Sequence, residues 1–156
     1  MLTDFFFFVA TPHNVEDITV DWAYYESFPM IQAKSVDPVK LATLEHVLTK
    51  TDLQELFGLV EDNVRWVRTP EEPLEESEES KFDETIVYWV RPELVNALAS
   101  LNHDQISFYT FQWAETEEWK LDRAAADDLS PFLKDLAELA VRTVAENKNI
   151  YLRMLP

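Results

Sequence analysis

The side chains best placed to do chemistry lie in FQWAETEEW (111–119), where Trp113 and Trp119 bracket Glu115, Glu117 and Glu118. On a strand, side chains alternate with period two, so Trp113, Glu115, Glu117 and Trp119 would all point one way. That arrangement is a carboxylate pair framed by indoles, suited to a sugar or a cation. On a helix each residue advances ~100°, and the two indoles fall about 120° apart, each beside a different glutamate. Upstream residues favour the helix: Asn102 is a good cap, and Gln105, three residues on, comes close to a capping box. Ile106, Tyr109 and Trp113 then share one face, with Phe108 and Phe111 on the opposite one. A helix that is apolar on two sides is wedged into a core or lies between the core and a partner. The residues to test are therefore Glu117 and Glu118 as weak candidate catalytic acids. Trp22, Tyr24, Trp113 and Trp119 are the candidate ligand or partner contacts.

Other chemistries find less support. His13, His46 and His103 are far apart, and none has a second ligand at helical or hairpin spacing. Metal ligands must converge at about 2 Å, so neither a metal nor another cofactor is expected. No Gly-x-Ser-x-Gly elbow is present, and Ser35, Ser100 and Ser130 sit at strand or helix ends, where capping explains them. Hydrolysis by paired acids needs two carboxyls about 5–10 Å apart in a cleft, one with a raised pKa. Among 30 Asp and Glu some pair meets that spacing by chance, so spacing alone says nothing. Gly58 is the single glycine, which excludes glycine-rich phosphate loops and dinucleotide fingerprints.

Charge narrows the partners. The formal charge is −17, from 13 Lys and Arg against 30 Asp and Glu. Such a surface repels nucleic-acid phosphate and speeds encounter with a cationic partner; it also keeps a chain soluble. The segment EEPLEESEES (71–80) carries six glutamates and is expected to be an exposed, mobile loop. It could mimic a polyanion or clamp a basic protein. Cysteine is absent, so there is no disulfide framework. The opening MLTDFFFFVA is apolar only from Phe5 to Ala10 and has no basic leader. It is too short for a signal peptide or for a membrane span of ~20 residues. A soluble cytoplasmic protein is expected.

These residues must be held by a scaffold, and the pattern outlines one. Phe5–Ala10 reads as a strand buried on both faces. Thr11–Asn14 reads as a turn, residues 15–28 fit neither template, and Pro29–Val36 reads as a peripheral strand. Asp37-Pro38 starts a helix with a leucine face (Leu41, Leu44, Leu48), and Thr51 or Asp52 starts a second. Asn63–Arg68 and Glu84–Val90 alternate as strands, and Pro92 opens another helix. Ser130-Pro131 marks the start of the best amphipathic helix, with Phe132, Leu136, Leu139 and Thr143 in one row beside Leu133, Ala140 and Val144. Asn149–Leu155 closes as a strand. The fold class is α+β (mixed α/β): one domain over 1–156, with helices packed on a small mixed sheet of about four or five strands. The first, fourth and last strands are expected at its centre.

Four segments carry a family resemblance: VDPVKLATLEHVLT (36–49), VRPELVNALASL (90–101), WAETEEW (113–119) and LKDLAELAVRTVAENKNIYLRML (133–155). They resemble a group of small bacterial domains of unknown function, distantly similar to YfbM-like proteins. The resemblance implies an α/β bacterial cytosolic protein and brings no activity or catalytic residues; the acidic insertion 71–80 departs from its compact pattern. Three functions remain open. The first is a non-enzymatic interaction domain that binds a basic protein, in the manner of an immunity or inhibitor protein. The second is a hydrolase using carboxylates beside tryptophans. The third is a homo-oligomer whose second aromatic face is a self-interface.

Overall fold

In the computed structural model, which describes residues 4–17, 28–68, 85–123 and 125–155, the phenylalanine run forms strand β1, Asp4–Ala10. It lies between β5, Asn149–Leu155, and β2, Met30–Ala33. Strand β5 also pairs with β4, Thr85–Trp89, which pairs with β3, Val64–Arg68, giving the order β2-β1-β5-β4-β3. The three strands expected at the centre are there, and the alternating β2 is an edge. Every described pairing is antiparallel, so the sheet is not mixed as expected. The helices between β4 and β5 return the chain to the end of the sheet it left, where Val90 N–H meets the Ile150 carbonyl at 3.0 Å. A strand entering there can only run antiparallel to β4.

Phe7 and Phe8 point to opposite faces of β1 and are both fully buried, as an uninterrupted apolar run requires. Phe5, Phe7 and Val9 join Tyr88, Ile150, Leu152 and Met154 in the main core beneath the helices. Phe8, Ala10, Val87 and Tyr151 form a smaller cluster on the other face with Val15.

The helices are α1 (Pro12–Asp17), α2 (Pro38–Thr49), α3 (Leu53–Leu59), α4 (Pro92–Ala99), α5 (His103–Ala114), α6 (Glu117–Leu121) and α7 (Ala126–Ala145). The Asp37 carboxylate accepts from Lys40 N–H at 2.9 Å, and the Asp52 carboxylate from Glu55 N–H at 3.1 Å, so both helix starts follow their caps. At Thr11–Asn14 the chain makes a short helix where a turn was expected. Thr11 Oγ1 accepts from Asn14 N–H at 3.1 Å, and Pro12 takes the first helical position, the same cap-plus-proline device as Asp37-Pro38.

Helix α7 begins four residues before the Ser130-Pro131 signal, leaving Pro131 inside the helix. Burial of Leu129 rewards the extra turn, and Asp127 and Asp128 suit its positive end. The Asp128 carboxylate accepts from Ala125 N–H at 3.2 Å. Along its length Leu133, Leu136, Leu139 and Thr143 are buried as the spacing implies, while Val144 faces out. No helix among the described residues is long and apolar enough to cross a membrane.

The glycine is not where the backbone needs one. Ser35, Lys50, Arg123 and Asn147 all have positive φ, whereas Gly58 lies in α3 with open space where a Cβ would sit. Lys50, at φ 63°, ends α2 with its N–H on the His46 carbonyl. Gly58→Ala and Lys50→Gly are each expected to raise stability by roughly 0.5–1 kcal/mol, the first through helix propensity and the second by relieving a left-handed side chain. Thermal melts of the single and double variants check this; a lowered Tm in either would contradict the backbone assignment.

Candidate functional site

The capping box at the start of α5 forms in full: Asn102 accepts from Gln105 N–H, and Gln105 Oε1 accepts from Asn102 N–H, both at 2.9 Å. From that start Trp113 is carried inward and is fully buried, Ile106 and Tyr109 are half-buried, and Phe108 and Phe111 stand 57% and 61% exposed. The two-sided helix is as the sequence implied. Its continuation to Trp119 is not.

Helix α5 stops at Ala114, Thr116 Oγ1 donates to the Trp113 carbonyl at 2.6 Å, and α6 restarts at Glu117. The break folds Trp119 back against Trp113, edge to face at 89° and 5.2 Å between ring centres. The indoles are therefore neighbours, not ~120° apart on one rod. Trp119 is buried too, and its Nε1 has no hydrogen-bond partner among the described residues. Glu117 is exposed and Glu118 half-buried in the first turn of α6. Trp22, Tyr24 and the acidic segment 71–80 lie outside the described residues.

Trp113 is held from α2. Its Nε1 donates to the Lys40 carbonyl and to Thr43 Oγ1, each at 3.1 Å. Lys40 is itself buried: its ammonium donates to the Ser35 carbonyl at 2.7 Å, pairs with Asp122, and sits 4.2 Å from the centre of the Trp119 ring. One lysine thus joins α2, the left-handed turn at Ser35 and α6. These three contacts hold the ammonium between elements, which is the geometry of a staple.

Among the described residues the buried carboxyl with a raised pKa is Glu45, two residues along α2 from Thr43. It is 2% exposed, and both of its oxygens accept from Arg91 Nε at 3.1 Å. Burial pushes its pKa up, and the Arg91 guanidinium opposes that rise. Tyr88 lies nearby, with Asn63 Nδ2 donating to its hydroxyl at 3.4 Å, and burial raises its pKa as well. The cavity lined by Leu41, Glu45, Leu56, Tyr88 and Arg91 has a volume of about 10 Å³, room for about one water. A larger hollow of about 280 Å³ lies on the other side of the sheet among Pro12, Val15, Arg65, Trp89, Asn149 and Tyr151. Its described lining includes none of Trp113, Trp119, Glu117 and Glu118.

His46 Nδ1 lies 2.6 Å from the Thr51 carbonyl at the end of α2, and no group of three metal-ligand side chains forms among the described residues. The sequence did not point to Lys40, Thr43, Glu45 or Arg91. The signal was faint: Lys40, Thr43 and Glu45 are three of five polar residues in the helix PVKLATLEHVLT, and their partners lie 46 to 82 residues away.

These features define a single α+β domain: a five-stranded antiparallel sheet under a helical layer pinned by buried polar contacts, with one aromatic helix face turned outward. No family model matches the chain, and no curated protein matches it. Its structure is similar to the crystal structure of YfbM from Escherichia coli, a protein of unknown function, at 10% identity over 100% of both chains with a TM-score of 0.40. That distant likeness accords with the sequence resemblance and brings no activity, ligand or partner with it.

Proposed function

We propose that the chain is a non-enzymatic interaction domain that engages a basic protein through its acidic surface, in the manner of an immunity or inhibitor protein. The observation that carries this reading is the charge of −17. Four of the 13 Lys and Arg residues are already paired within the chain, in Lys40–Asp122, Arg91–Glu45, Lys120–Glu115 and Arg142–Glu146. Exposed acids such as Glu55, Glu61, Asp62, Asp104, Asp127 and Glu138 are left to set the outward field. The hydrolase alternative is less favoured. The carboxyl with the raised pKa, Glu45, borders a space for about one water, and Glu117 is open to solvent beside indoles that face inward.

The test is affinity capture at low and high salt. Basic proteins are expected to bind at low ionic strength and to elute as salt shortens the Debye length to ~8–10 Å and below. If low salt recovers no basic protein, or if captured proteins resist high salt, the reading fails.

A further inference from the structure

We propose that the outward face of α5 is the surface on which the partner docks, and that it takes a cationic amphipathic segment of that partner; the inference rests on the basic-partner reading above. Asp104, Phe108, Phe111 and Glu115 follow at intervals of four, three and four residues, which places them in one row on a helix. All four are exposed. The row is about 16 Å long at 1.5 Å per residue, with two phenylalanines in the middle and a carboxylate at each end. That is the anatomy of a small contact patch, with aromatic anchors at the centre and polar groups at the rim.

Nothing in the fold requires those rings outside. The inward side of α5 is already filled by Ile106, Thr110, Trp113 and Ala114, and the ring contact of Phe108 among the described residues is an edge contact with its neighbour Tyr109, at 5.2 Å. Single exposed apolar residues are ordinary, but two large rings one turn apart form a patch.

Charge selects the occupant. A second copy would bring another −17 surface and another pair of carboxylates against the same row, and like charges brought together oppose association. A cationic segment gains from both ends. Glu115 is paired with Lys120 at 3.2 Å, but both side chains are more than half exposed, so that pair is weak and exchangeable. The following residues add Glu117, Glu118 and Asp122 against Lys120 and Arg123, and the balance stays acidic. A helix of lysines and leucines with one apolar stripe has the matching chemistry, laying the stripe on the rings and its cations beside Asp104 and Glu115.

The experiment uses the full chain, isotope-labelled, titrated with a synthetic lysine–leucine amphipathic helix and with a scrambled peptide of the same composition. Backbone amide shifts are expected to concentrate in residues 103–118, with the scrambled peptide binding more weakly. The double variant Phe108→Ala/Phe111→Ala is expected to lose at least ~10-fold in affinity, and Asp104→Lys/Glu115→Lys a similar factor at low salt, with circular dichroism unchanged because all four side chains are exposed. Salt-sensitive binding that maps elsewhere and ignores these variants would overturn the docking face while leaving the basic-partner reading intact. If neither peptide binds at low salt, both fall. A dimer seen by sedimentation and abolished by Phe108→Ala/Phe111→Ala, with no peptide effect, would give the face to a second copy and likewise overturn the proposal.

Discussion

Trp113→Ala is expected to cost about 3–5 kcal/mol, the range for deleting a large buried aromatic, and so to unfold much of a domain whose total stability is on the order of 5–15 kcal/mol. Trp113 is fully buried. It meets Trp119 edge to face, lies 6.2 Å from Phe132 between ring centres, and donates from Nε1 to α2. Removing the ring would leave a hole between three helices and strip the contact against which α6 folds back. Trp113→Phe separates packing from hydrogen bonding. It keeps an aromatic ring, and the Lys40 carbonyl still accepts from Thr43 Oγ1 at 2.7 Å, so a smaller loss of about 1–2 kcal/mol is expected. Denaturant melts with tryptophan fluorescence measure both. A Trp113→Ala protein within ~1 kcal/mol of the parent would show that α5 is not anchored where the structure places its anchor.

Arg91→Ala carries the second large effect, and its size depends on pH. Arg91 faces a Glu45 that is almost wholly out of water. Removing one member of a buried pair leaves the other charge uncompensated, at about 3–5 kcal/mol. Because Arg91 keeps some solvent contact, with its side chain 22% exposed, roughly 2–4 kcal/mol is the discounted expectation at neutral pH. Burial already holds the Glu45 pKa above its ordinary value of 4.5, and loss of Arg91 removes what opposes that rise. A carboxyl whose folded pKa exceeds its unfolded one binds more protons in the folded state. Stability then falls as pH rises through that window. The variant's deficit should therefore be full above the folded pKa and shrink as pH drops toward 4.5. Adding Glu45→Gln should flatten this dependence. A deficit that stays constant with pH would assign the effect to lost packing of the arginine stem instead.

The parts of this molecule that were legible in advance are those set by neighbours in the chain. The caps at Asp37, Asp52 and Asn102 satisfy N–H groups three residues away, so their chemistry is complete within a few letters. The apolar run of β1 and the alternation of β2 predicted centre and edge correctly, because burial on two faces or one is written into the period of the strand. That α5 is apolar on two sides was legible for the same reason; which side faces outward was not. Helix starts were misjudged where burial outweighed the cap signal, as at Leu129 ahead of Ser130-Pro131.

The candidate site was less legible. Trp113 and Trp119 were singled out together, but their angular relation was derived from one continuous helix, and the break at Glu115–Thr116 replaces that geometry with an edge-to-face contact. Lys40, Glu45 and Arg91 were passed over because a charged residue is ordinarily solvated. Only the convergence of partners distant in the chain makes their burial tolerable.

From its letters alone, then, this chain determined its helix caps, its central strands, its sign of charge and the two-faced character of α5, all consequences of local periodicity and composition. Three-dimensional packing alone decided that the indoles meet, that a lysine and a glutamate are enclosed, and that Phe108 and Phe111 are left outside. The reason is that Lys40 and Glu45 are enclosed by partners 82 and 46 residues away, and that even the indoles, close in the chain, meet only because α5 breaks after Ala114 and Trp113 is anchored on α2.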